Sequence, residues 1–220
     1  MIEILGIPLA LLPDRRGLTA LLDEELYTAW RERHKSVRDE LFTRASLGGI
    51  FLLQQMGFRK GLKYDANNRP YVEGSRVDFS ISHTDRIVVC ALEAPDAESD
   101  KAEPCRVGID AEGLLRLSSV RICPLADRWF SEGEAELFWR DSGDEAFLRI
   151  WTKKEALVKW TGEGLSSMRS ADTLTAGERF GVSFCEYRVE DTVISLCHRK
   201  GTTPPKEVRM LTHADLLRIR

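Results

Sequence analysis

Two periods run through the chain. Val77, Phe79 and Ile81 alternate with Asp78, Ser80 and Ser82, the two-residue period of a strand with one buried face. Residues 87–92 are apolar throughout, as a strand covered on both faces would be. His83-Thr84-Asp85-Arg86 between them predicts the turn. Further strands are expected within 2–12, ending before Pro13, over 106–112, over 181–187 paired with 192–198, and over 206–211. The helical period predicts an element at 18–37, with Leu18, Leu21, Leu22, Leu26 and Trp30 on one side. A second, at 39–56, has Leu41, Phe42, Leu47, Ile50, Phe51 and Leu53 as its core side. Gly48-Gly49 inside it weakens helix propensity and is read as a close approach by backbone or ligand. Residues 125–140 read as helical with a junction at 131–134, and a short helix follows His213.

The longest uninterrupted helical stretch is 147–160, free of Gly and Pro and followed at once by Gly162 and Gly164. Trp151, Glu155 and Lys159 fall on one ridge of it. On helix pattern alone, Glu155 and Lys159 are a solvated pair one turn apart, worth little energetically.

Residues 93–104 differ in kind: two prolines, three alanines, mostly acidic charges and no larger aliphatic. The chain is thus expected to divide into 1–94, a linker at 95–104, and 105–220, each half placing helices on a small sheet in an α+β arrangement.

Composition narrows the class. With 43% hydrophobic and 30% charged residues in 220, the chain reads as a soluble globular protein. No apolar run approaches a membrane span, and Asp14, Arg15 and Arg16 interrupt the opening apolar stretch too early for a signal peptide. The cysteines, Cys90, Cys105, Cys123, Cys185 and Cys197, are scattered and odd in number, which fits reduced thiols in a cytoplasm. A net charge of −3 argues against a nucleic-acid partner. Basic residues do cluster at 31–44 and 116–128, as solvated faces or as local contacts to phosphate or an acidic partner.

Three short segments carry candidate chemistry. In Val107-Gly108-Ile109-Asp110-Ala111-Glu112 the alternation sends Val107, Ile109 and Ala111 one way and both carboxylates the other. Two ordered neighbouring carboxylates need a compensating cation, and oxygen ligands suit Mg²⁺. Gly108 on the acidic face leaves room for something to approach the backbone. The plainer reading is an acidic strand end beside the turn at Gly113. His83, ending its strand between Ser82 and Thr84, could donate to a phosphate, or be a structural histidine at a hairpin end. A catalytic triad of Ser82, His83 and Asp110 is rejected: adjacent strand residues face opposite ways, and no G-x-S-x-G elbow is present.

In combination these segments are far more specific. Ser82-His83-Thr84, then Gly108-Ile109-Asp110-Ala111-Glu112, then Trp151-x-x-Lys154-Glu155-Ala156-x-x-Lys159 resemble the 4′-phosphopantetheinyl transferases. The class they resemble is the long monomeric one acting on peptide-synthetase, polyketide and fatty-acid carrier proteins. Arg69-Pro70, Trp129-Phe130-Ser131 with Glu134, Arg44 with Leu47-Gly48 and Leu52-Leu53, and Gly162-x-Gly164-Leu165 extend the likeness over about residues 40–165. Thr84 stands where the family has Ser, Asp85 where a small residue is common, and Arg31, Arg33 and Lys35 are only candidates for the family's N-terminal basic residues.

The resemblance implies two similar α+β halves related by a pseudo-two-fold, with the active site between them. It implies a monomeric cytoplasmic enzyme of holo-[acyl-carrier-protein] synthase type. Such an enzyme moves the 4′-phosphopantetheine arm of coenzyme A to a serine of an apo acyl or peptidyl carrier protein and releases adenosine 3′,5′-bisphosphate. By the same resemblance Asp110, Glu112 and Glu155 hold Mg²⁺, while Glu155, Lys159 and Asp110 are catalytic. His83, Ser82, Thr84, Arg44, Arg69 and Lys154 contact coenzyme A. Residues 113–130, with Arg116, Arg121 and Arg128, are the expected dock for an acidic carrier helix. The alternative is a non-catalytic relative that binds coenzyme A or a carrier protein, and intact acidic residues argue against it.

Overall fold

The computed structural model describes residues 1–35, 39–95, 104–114, 119–141 and 143–218, the side chains of 119–121 excepted. Ile2–Pro8 (β1), Asp78–His83 (β4) and Ile87–Glu93 (β5) form the first sheet, with β5 antiparallel to both neighbours and buried along its whole length. That central position is why its sequence is unbroken apolar. A hairpin of Leu62–Tyr64 (β2) and Pro70–Val72 (β3), joined through residues 65–69, stands beside it.

Arg15–Leu21 (α1), Glu24–Arg33 (α2) and Glu40–Gln55 (α3) cover one face of this sheet. The helix expected over 18–37 is in fact two. Gln54, reaching across from α3, accepts from Asp23 N at 2.8 Å and donates to Leu21 O at 2.9 Å, using backbone groups that a continuous helix would need for itself. Asp39 caps α3 by accepting from Phe42 N. The Gly48-Gly49 pair admits apolar side chains rather than backbone or ligand: added Cβ atoms would lie 2.5 Å from Leu12 and 2.5 Å from Ile81.

The second sheet has Val107–Gly113 (β6) at one edge, then Thr192–Arg199 (β8), then Val182–Val189 (β7), all antiparallel. Ser119–Trp129 (α4), Glu132–Asp141 (α5) and Asp144–Thr161 (α6) follow β6. The expected junction is the break between α4 and α5, where Ser131 and Glu134 exchange bonds (2.8 and 3.3 Å) as a capping box. Gly162 ends α6 at φ 74°, a left-handed conformation glycine adopts without strain.

Both halves share one interior. Ile2, Ile4, Ile87, Val89 and Ala91 of the first sheet pack on Val107, Ile109, Ala111, Ile194 and Leu196 of the second. The division at 95–104 is not kept to the end of the chain. Arg209–Met210 (β9) pairs parallel with β1, and Leu211 and Leu216 join the core of the first half. Only those two residues of the expected 206–211 strand pair in the sheet. Residues 96–103 of the linker lie outside the described residues.

Candidate active site

β6 and α6 build the site between them. Val107, Ile109 and Ala111 go into the inter-sheet core, so alternation turns Gly108, Asp110 and Glu112 toward α6. Gly108 is where the helix touches the strand. A Cβ there would stand 2.0 Å from Ala156 O and 2.7 Å from Trp160 N, so the approach that the glycine permits is that of the helix backbone. This contact places Glu155, adjacent to Ala156, against the two strand carboxylates. One oxygen from each of Asp110, Glu112 and Glu155 lies within 4.8 Å of the others.

Asp110 is 2% exposed. Its Oδ1 accepts from Lys159 Nζ at 2.7 Å and Ser82 Oγ at 2.8 Å. Its Oδ2 is buried and takes no hydrogen bond from any N–H or hydroxyl group, and a protonated Glu155 carboxyl is the neighbour that can bond to Asp110. Burial, then the Asp110 charge, then Glu112 push the Glu155 carboxyl up to about 8, with Lys159 opposing. An acid so displaced means that the trio retains a proton or gains a cation. Carboxylate oxygens with a donorless member suit a hard divalent ion, so the residues fit Mg²⁺.

A pH dependence follows. Because folding raises the Glu155 pKa from 4.5 to about 8, the folded state binds this proton more tightly than the unfolded chain does. The stability it contributes is fully present below 4.5 and is lost as pH climbs toward 8. Without divalent metal, the melting temperature should therefore fall across that window, and Glu155→Gln should flatten this component. Parallel melting curves for the two proteins would contradict the displaced carboxyl.

Lys159 does not form the solvated pair that helix spacing allowed. Its ammonium donates to Asp110 Oδ1, to Ser82 Oγ at 3.0 Å and to Ile109 O at 3.0 Å, which uses all three of its protons. Lys154, which the resemblance set against coenzyme A, sits elsewhere. It is fully buried, donates to Glu134 Oε2 at 2.7 Å and to Ala171 O, and is closed to a ligand. Glu134 also accepts from Ser131 N, Thr173 N and Thr173 Oγ1, so this pair clamps α5, α6 and the segment after α6.

The other expected contacts divide. Arg69 holds Asp78 through two bonds (2.8 and 2.6 Å), donates to Lys159 O and Val107 O, and lines a cavity of about 350 Å³ between the halves. Ser80 and Ile81 line that cavity from one side, Glu155, Lys159 and Leu165 from the other. His83 lies apart, edge-on to Phe42 at 5.5 Å, in a recess of about 140 Å³ with Ala45 and Thr84. The Thr84 hydroxyl accepts from Arg86 N and Ile87 N and so shapes the turn. Arg44 donates to Leu9 O, tying α3 to the turn after β1. Of the expected dock, Arg116 and the side chain of Arg121 lie outside the described residues, and Arg128 sits 4.8 Å over the Trp129 ring.

Sequence reasoning passed over Asp78 and Ser80. Both accept backbone N–H groups of β6, and their shared polar face with Ser82 was the available signal. Among the described residues, no helix is long and apolar enough to cross a membrane.

Residues 106–204, which span β6, α6 and the β7–β8 hairpin, match the model of the 4′-phosphopantetheinyl transferase superfamily. The chain is 29% identical over 146 residues to the 4′-phosphopantetheinyl transferase gsp of Aneurinibacillus migulanus, covering 63% of this chain and 53% of that protein. It is 31% identical over 137 residues to the 4′-phosphopantetheinyl transferase HetI of Nostoc sp., covering 59% and 52%. To Sfp of Bacillus subtilis it is 33% identical over 91 residues, covering 40% and 34%. The chain thus spans about half the length of the first of these relatives. The strand and helix that bring three carboxylates together fall inside the region that is similar to the 4′-phosphopantetheinyl transferase superfamily.

Proposed function

We propose that this protein transfers the 4′-phosphopantetheine arm of coenzyme A to a serine of an apo acyl or peptidyl carrier protein. The observation that carries this reading is the carboxylate trio built around buried Asp110, with its donorless Oδ2, beside a cavity between the halves. Asp110, Glu112 and Glu155 would hold Mg²⁺. When bound, the ion neutralises pyrophosphate charge that otherwise repels an incoming oxygen.

The chain's own groups do the rest. Lys159 and Ser82 hold Asp110 in place, and Arg69 supplies a cation on the cavity wall. His83, in its recess beyond Ser82, is the group we assign to a phosphate of coenzyme A. Glu155 takes the proton as the serine oxygen bonds to the phosphorus bearing the pantetheine arm. The bond from that phosphorus to the bridging oxygen breaks, and adenosine 3′,5′-bisphosphate leaves. Phosphoryl transfer asks mainly for alignment and charge neutralisation, which these side chains are arranged to give. Scattered thiols and the absence of a spanning helix among the described residues support a cytoplasmic setting, and we take the working unit to be the monomer.

The test is intact-mass spectrometry of a panel of apo carrier proteins incubated with this protein, coenzyme A and Mg²⁺. The expected result is a gain of one phosphopantetheine arm that chelation abolishes. Coenzyme A binding with no gain on any carrier would replace the transferase reading with that of a non-catalytic binding relative.

A further inference from the structure

Among the described residues, β6 pairs by backbone with β8 alone, so its other edge carries groups that need partners. Side chains supply them. The N–H groups of Val107, Ile109 and Ala111 donate to Asp78 Oδ2 (2.8 Å), Ser80 Oγ (3.1 Å) and Ser82 Oγ (3.3 Å). The carbonyls of Val107 and Ile109 accept from Arg69 (3.2 Å) and Lys159 (3.0 Å). Three side chains two residues apart on β4 thus match three N–H groups two residues apart on β6, as the strand period allows.

The last rung differs from the other two. Besides accepting from Ala111 N and Lys159 Nζ, the Ser82 hydroxyl donates to Asp110 Oδ1. One donor and two acceptor positions are all that a hydroxyl has, so Ser82 is saturated within the protein. Asp110 is therefore gripped at Oδ1 by two donors from different elements, which leaves Oδ2 as its donorless oxygen.

We propose that Ser82 is a positioning residue of the cation site: by holding Asp110 Oδ1 it turns Oδ2 toward Glu112 and Glu155. The first half of the chain thereby completes a site whose ligands all come from the second. This rests on the metal reading above and moves Ser82 from contact with the nucleotide to support of a ligand. Outer partners of this sort fix the orientation of metal-binding carboxylates.

The experiment is titration of the coenzyme-free protein with Mn²⁺, followed by electron paramagnetic resonance of the free ion. Ser82→Ala should weaken binding by about 10–100-fold, and Ser82→Thr, which keeps the hydroxyl, should recover most of it. Ser80→Ala removes the neighbouring rung without touching Asp110. It should lower the melting temperature yet leave Mn²⁺ affinity unchanged, which separates support of the strand from support of the ligand. Should Ser82→Ala not fold, Ser82→Cys makes the same comparison with a poor donor of similar shape. Equal Mn²⁺ affinity in the parent and the Ser82 variants, with a raised KM for coenzyme A, would return Ser82 to the nucleotide. A parent protein that takes up no Mn²⁺ would overturn the metal reading and this inference with it.

Discussion

Asp110→Asn is expected to fold and melt close to the parent, to bind no Mn²⁺ at concentrations that fill the parent site, and to transfer at least about 10²–10³-fold more slowly. The amide keeps an oxygen for Lys159 and Ser82, which hold the present Oδ1 at 2.7 and 2.8 Å. It puts an NH₂ group where the donorless Oδ2 now lies, and that group donates to a neighbouring carboxylate instead of ligating a cation. Asp110→Ala is the less informative change, because it leaves the Lys159 ammonium without its carboxylate partner and adds a stability cost of its own. Calorimetric melting, Mn²⁺ titration and the carrier-protein mass assay together decide the matter. Retained metal affinity and rate in Asp110→Asn would remove the trio from the mechanism.

Gly108→Ala should carry the largest stability loss of any single methyl added at the site. The new Cβ would meet the Ala156 carbonyl at 2.0 Å and the Trp160 amide at 2.7 Å, both backbone atoms that no side-chain rotation can move. Relief requires α6 to lift from β6, at an expected cost of about 3 kcal/mol or more. For a chain of 220 residues that corresponds to a fall in melting temperature of roughly 6–12 °C. Since Glu155 rides on the same turn of helix as Ala156, Mn²⁺ affinity should fall as well. A melting temperature within a degree of the parent would show that the strand and helix are not held in this contact.

Much of this arrangement is legible in the sequence. Periodicity placed β4, β5, α3 and α6 to within a few residues, because each buries one face or both against a continuous core and its sequence must repeat accordingly. Alternation along β6 predicted that Asp110 and Glu112 share a face, since successive strand side chains have no other choice. The acidic trio was what the family resemblance implied, and the structure brings the three carboxylates together.

Other features depend on contacts between residues far apart in the chain, and local pattern does not encode those. The break between α1 and α2 comes from Gln54, more than thirty positions downstream. The pairing of β9 with β1 joins the two ends of the chain, so its short run carries no local mark of which half it completes. Of the two lysines near Glu155, the resemblance made Lys159 catalytic and set Lys154 against coenzyme A. Helix geometry separates them: Lys154 lies about 100° round from Glu155 and Lys159 about 40°. With Gly108 seating α6 on β6, that difference buries Lys154 against Glu134 and turns Lys159 to Asp110. Residue types and their order carried the resemblance from which the proposed chemistry comes. Which lysine, serine and carboxylate oxygen meet was decided by the packing of α6 and β4 against β6.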